Sequence, residues 1–73
     1  MKEKLGGKLA FFKNIKNHLY LLNSVDQKIL IAFYGYGIKE SKIAEYLNKT
    51  TWYIRQRKRR AILKIIEKAN WEI

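Results

Sequence analysis

The chain has no cysteine, no proline, one histidine, four glycines, and six acidic residues against sixteen lysines and arginines. Without cysteine it can hold neither disulfides nor thiolate-bound metals. His18 alone cannot supply a metal site or a serine- or cysteine-type catalytic relay. No apolar run reaches the roughly 18 residues a membrane helix needs. Lys8, Lys13 and Lys16 break up every apolar stretch near the start, unlike a signal peptide. No membrane partner is therefore expected, and a cytoplasmic, nucleoid-associated location is. Seventy-three residues make one domain, which buries only about 60% of the surface its unfolded chain exposes. A core that thin leaves little room for an enclosed substrate cavity, so neither an enzyme nor a cofactor is expected. At 48% hydrophobic residues the chain is too apolar for a disordered basic tail. What survives is a small, folded, basic binding module.

The formal charge of +10 is unevenly spread. Residues 1–23 carry a net +4 and residues 24–48 a net zero. Residues 49–64 hold Lys49, Arg55, Arg57, Lys58, Arg59, Arg60 and Lys64 with no acid, a net +7, and the last nine residues carry −1. All four arginines fall within residues 55–60. Lysine would suffice for solubility, whereas arginine offers a planar fork of donors that fits phosphate and the guanine edge. The run also lacks the glutamates that a solvated helix uses for i,i+4 pairing. Its composition points to a polyanion.

Helical periodicity runs through the whole sequence. A first helix is predicted over about 8–21, with Leu5, Leu9, Phe12, Ile15, Leu19 and Leu22 three or four apart and Phe11 and Tyr20 at the core edge. Gly6 and Gly7 weaken its start. The lysines beside Leu9, Phe12 and Ile15 fit either a packing helix with a solvated face or a membrane-surface helix. Ser24 and Gln27 read as a capping box. That box opens a second helix, with Val25, Ile29, Leu30 and Phe33 on one face, which ends at Gly35 or Gly37. A short third helix over 40–47 presents Ile43, Ala44 and Leu47. Asn48 tolerates the left-handed conformation, and Thr50 caps a fourth helix running to about 68. Asp26, Glu40 and Glu45 sit near helix starts, where they suit the macrodipole. The expected fold is all-α: a trihelical helix-turn-helix core over 24–73 with an added basic N-terminal helix over 1–23.

Residues 40–59 fit the twenty-residue helix-turn-helix frame. Ala44 is the small residue at the crossing, Ile43 and Leu47 are the apolar positions, Asn48 is the turn and Ile54 is the anchor of the second helix. Lys49 and Arg57 stand where apolar side chains are usual. From Ser24 to Ile65 the chain resembles the region-four domain of bacterial sigma factors, which reads the minus-35 promoter element. The resemblance rests on Gln27-Lys28-Ile29-Leu30, Tyr34 and Gly37, then Ile43-Ala44-Glu45 and Leu47. Thr50, Ile54-Arg55-Gln56, Ala61 and Ile65 complete it. It implies that Arg55 and Gln56 contact DNA. Thr51 and Trp52 replace an Arg and a Glu that commonly read bases in that family, so its promoter preference does not carry over. The chain has no room for the domain that melts the second promoter element, which speaks against a stand-alone sigma factor. The related LuxR-type regulator domain shares the trihelical frame but adds a dimerising helix that is not seen here.

With Ile54 facing the core at about 100° per residue, Lys58, Ala61 and Ile65 follow it inward. Thr51, Trp52, Arg55, Gln56 and Arg59 are the candidate base contacts in a major groove. Lys42, Lys49, Thr50, Arg57 and Arg60 are the candidate phosphate contacts. Trp52 can pack on a thymine methyl or back onto the protein, and Tyr53 reads as a core-edge residue. Beyond Arg60 the helix is apolar nearly all round and needs cover on two sides. The second helix supplies one; the N-terminal helix, or a second copy meeting at Leu63 and Ile66, supplies the other. Double-stranded DNA is the expected partner of this transcriptional regulator. RNA polymerase or an anti-sigma protein is the partner if the chain instead mimics region four and diverts transcription.

Overall fold

The computed structural model describes residues 2–69, with side-chain placements from Gly7 onward. The described chain is all-α and contains no strand. Four α-helices are formed: α1 (Lys2–Ile15), α2 (Ser24–Leu30), α3 (Glu40–Leu47) and α4 (Thr51–Ala69). A 3₁₀ segment, Lys16–Leu21, follows α1, and a π turn, Ile31–Gly35, extends α2. The inward position expected of Leu5, and the last four residues of the expected core domain, lie outside what is described.

α1 differs most from expectation. It begins well before Gly6 and Gly7 and stops at Ile15, where the chain tightens into the 3₁₀ segment. Asn17 and His18, both weak helix formers, lie in the tightened stretch. With three residues per turn, Leu19 and Leu22 fall on one side, and Leu22 N–H closes the segment on Leu19 O at 2.9 Å. Ile15 and Leu22 are buried, but Leu9 and Tyr20 are exposed, so the inward positions predicted for those two do not hold.

α2 starts one residue earlier than the capping box suggests. Asn23, not Ser24, is the cap, and its Oδ1 accepts from Asp26 N–H at 2.9 Å. Gln27 reaches back to donate to Leu22 O at 2.9 Å. Asparagine and serine cap equally well, and with the helix opening at Ser24, Val25 turns outward while Asp26 is buried. Ile29 and Leu30 are buried as expected. The helix then widens into the π turn. Gly37, at φ 71°, reverses the chain, and Ile38 N–H bonds to Ala32 O at 3.0 Å. The left-handed stop is thus Gly37. Gly35 serves another purpose: a Cβ there would lie 3.3 Å from the Phe12 ring.

Two apolar clusters form the core, and adjacent residues of α2 feed one each. Ile29 joins Ile43, Ala44 and Ile54, binding α3 to the first half of α4. Leu30 joins Ile15, Leu22, Ala61 and Ile65, binding α1 and the 3₁₀ segment to the second half of α4. The apolar half of α4 is therefore covered by α2 on one side and by the N-terminal segment on the other. Ile66 is half-buried, and Leu63 remains exposed. No described helix is long and apolar enough to cross a membrane.

Candidate nucleic-acid interface

α3, the turn and α4 pack through the residues that the sequence assigns to the helix-turn-helix frame. Ile43 and Ala44 are buried where the two helices cross, beside fully buried Ile54. Asn48 takes φ 60°, ψ 44°, and Lys49 N–H returns to Ala44 O at 2.8 Å. Thr50 Oγ1 accepts from Tyr53 N–H at 3.0 Å, which caps α4 as predicted and leaves the hydroxyl hydrogen free to be donated. Tyr53 packs half-buried at the edge of this cluster.

Ile54, Ala61 and Ile65 lie fully inward, and Lys58 lies nearly so. Trp52, Arg55, Gln56 and Arg59 consequently line the other side. Trp52 is 67% exposed, so of its two readings the one that packs it back onto the protein does not hold. Arg59 and Arg60 are exposed, Thr51 and Gln56 half-exposed. The candidate phosphate contacts Lys42, Lys49 and Thr50 are all exposed, Lys49 and Thr50 in the turn and Lys42 in the first turn of α3, beside the groove between α2 and α3. Lys42 has a loose contact with Glu45 at 3.7 Å between well-exposed groups, and Lys49 lies 5.0 Å from the Tyr53 ring.

Three cations of the basic run have partners within the molecule, which the local sequence did not indicate. Arg57 Nε donates to Asp26 Oδ1 at 2.8 Å, with both side chains largely buried. This explains how an arginine occupies a slot usual for an apolar residue, and it leaves only the remaining guanidinium nitrogens for a phosphate. Asp26 does more than greet a helix dipole. Glu40 is likewise bidirectional: Oε2 meets Lys58 Nζ at 2.6 Å and Oε1 accepts from Arg55 Nε at 3.2 Å. Lys58 also lies 3.7 Å above the Phe33 ring, where its charge meets the negative π face. Burial pushes the Glu40 carboxyl up, but hydrogen bonds and charge from Lys58 and then Arg55 outweigh it and hold the group below its ordinary value. Burial, and secondarily the Glu40 charge, raises the Tyr34 hydroxyl above its usual range.

The partners of Arg57 and Arg55 are 31 and 15 residues away. No i,i+4 pattern could have found them; the only signal was that Asp26 and Glu40 are scarce acids at helix starts. The pairing spares Arg59 and Arg60, which have no ion pair among the described residues. Arg55 remains 60% exposed, its Nε tethered and its terminal nitrogens outward-capable. Compared with known proteins, the chain matches no family model, no curated sequence and no solved structure.

Proposed function

We propose that this protein is a sequence-specific, double-stranded DNA-binding transcriptional regulator that inserts the first half of α4 into the major groove. The observation that carries this reading is the exposed row Trp52, Arg55, Gln56 and Arg59, on a helix held against α3 by a buried crossing and a left-handed turn. That row offers what base edges need. Arginine takes guanine O6 and N7 in two-pronged fashion, glutamine takes adenine, and an apolar ring takes a thymine methyl. Lys49 and Thr50 in the turn, and Lys42 at the start of α3, are exposed cations and a hydroxyl that can set register on phosphates without reading sequence. Glu40 holds the inner nitrogen of Arg55, so less side-chain freedom is lost when its outer nitrogens meet a base. The likeness of Ile54-Arg55-Gln56 to the sigma region-four motif supports the same assignment.

The reading does not require a second copy. The apolar half of α4 is covered by α1 and the 3₁₀ segment, which removes the packing argument for a homodimer through Leu63 and Ile66. The exposed Trp52 favours one other reading, since a bare tryptophan on a charged surface is a common anchor at protein interfaces. In that case the partner is RNA polymerase or an anti-sigma protein. Selection of duplexes from a random pool, followed by gel shifts, separates the two. Under the DNA reading Gln56→Ala and Arg59→Ala weaken the selected site at least tenfold and relax its preference, while Lys49→Ala weakens all duplexes alike. No enrichment from the pool would reject it.

A further inference from the structure

A second surface lies between α2 with its π turn and α3, and no residue of α4 lines it. Its floor is Ile31, Ala32, Ile43 and Leu47, and it encloses about 480 Å³. Tyr36, Ile38 and Tyr46 form its walls, with Tyr36 76% and Tyr46 87% exposed. Aromatic bodies standing this far into water with their hydroxyl tips free suit a surface that is covered part of the time. A concave, mostly apolar groove of this size falls within the range that takes a ligand or the apolar face of a helix.

The charge around the groove identifies its occupant. Its charged lining residues are Lys28 and Lys42, and no acid lines it. The contact of Lys42 with Glu45 is long and solvent-exposed, so it yields readily to a closer carboxylate. A second copy would bring another +10 chain to the same place, which like charge opposes. The geometry points to a partner protein that docks here through an acidic amphipathic helix, two or three large apolar side chains filling the floor and carboxylates meeting Lys28 and Lys42. This goes beyond DNA binding: the groove shares no residue with the α4 row, and Lys42 is the one residue it has in common with the proposed phosphate contacts.

The test uses the full chain and a fluorescein-labelled designed helical peptide with leucines at i, i+4 and i+7 flanked by glutamates. Two controls accompany it: the same peptide with lysines for glutamates, and with serines for leucines. In anisotropy titrations the acidic leucine peptide should bind at least tenfold more tightly than either control. Its affinity should be unchanged by Arg59→Ala. The double substitution Lys28→Glu and Lys42→Glu lies on exposed side chains and should reverse the charge preference. Four results overturn the proposal. They are absence of binding, equal binding of the serine control, loss on Arg59→Ala (which would place the peptide on α4), and a doubled solution mass at tens of micromolar that Lys42→Glu abolishes.

Discussion

Glu40, at the first position of α3, holds two cations of α4 at once, Lys58 by one carboxylate oxygen and Arg55 by the other. It therefore couples the packing of the helix pair to the aim of a candidate base-reading side chain. Glu40→Gln leaves Lys58 largely buried without its counter-charge, which should cost about 1–3 kcal/mol of stability in urea unfolding. The pH dependence has a definite sign. Folded Glu40 titrates below its ordinary value of 4.5, so its contribution is complete above that value and is lost as pH falls through the lower, folded one. Melting temperatures recorded between pH 7 and pH 3 should fall less steeply on the acid side for Glu40→Gln than for the parent chain. Equal slopes would show that the carboxylate contributes nothing. Arg57 and Asp26 form the second pair, and a double-mutant cycle with Arg57→Met and Asp26→Asn should give a coupling of about 1 kcal/mol or more. The second pair accounts for Arg57, which the sequence offers as a phosphate contact in a slot usual for an apolar residue. Residue type and local spacing reveal a cation, but only the fold reveals that an acid from α2 waits beside it.

At the scale of elements, α3, its turn and the start of α4 were legible because each boundary is set by local chemistry. Asn48 tolerates positive φ, and Thr50 presents its oxygen to Tyr53 N–H. These assignments make a clean prediction: Asn48→Gly should be near neutral, whereas Asn48→Val should lose roughly 1–2 kcal/mol, the cost of placing an ordinary L-residue in the left-handed conformation. α1 was less legible. Nothing in Lys16–Leu21 announces a switch to three residues per turn, and two good capping residues in succession, Asn23 and Ser24, do not say which one caps. The π turn after Leu30 has no local signature either. It places Phe33 with the α3 cluster and Tyr34 with the α1 cluster, a division dictated by contacts distant in sequence. α1 accommodates two glycines, and a Cβ at Gly7 would meet nothing within 4 Å. Gly7→Ala should accordingly raise stability by up to about 1 kcal/mol, read as a higher urea midpoint.

Over the whole molecule, sixteen cations face six acids. Two of those acids, Asp26 and Glu40, pair with Arg57, Lys58 and Arg55, while Lys49, Arg59 and Arg60 stay exposed at the turn and on the outer side of α4. With Arg57 and Lys58 answered by carboxylates and Arg55 held only at its Nε, Lys42, Lys49, Arg55, Arg59 and Arg60 leave about five cations to neutralise phosphates. The slope of log K against log salt for duplex should then be roughly −5. A slope near zero would mean that the basic surface does not meet phosphate. The most direct measurement is amide chemical-shift mapping of the labelled chain during titration with a selected duplex at low ionic strength. The perturbed amides should cluster at residues 49–60, with the α1 cluster around Ile15 and Leu22 unmoved. Perturbations centred on α1 or on the 480 Å³ groove, or none at all, would contradict DNA binding through the first half of α4.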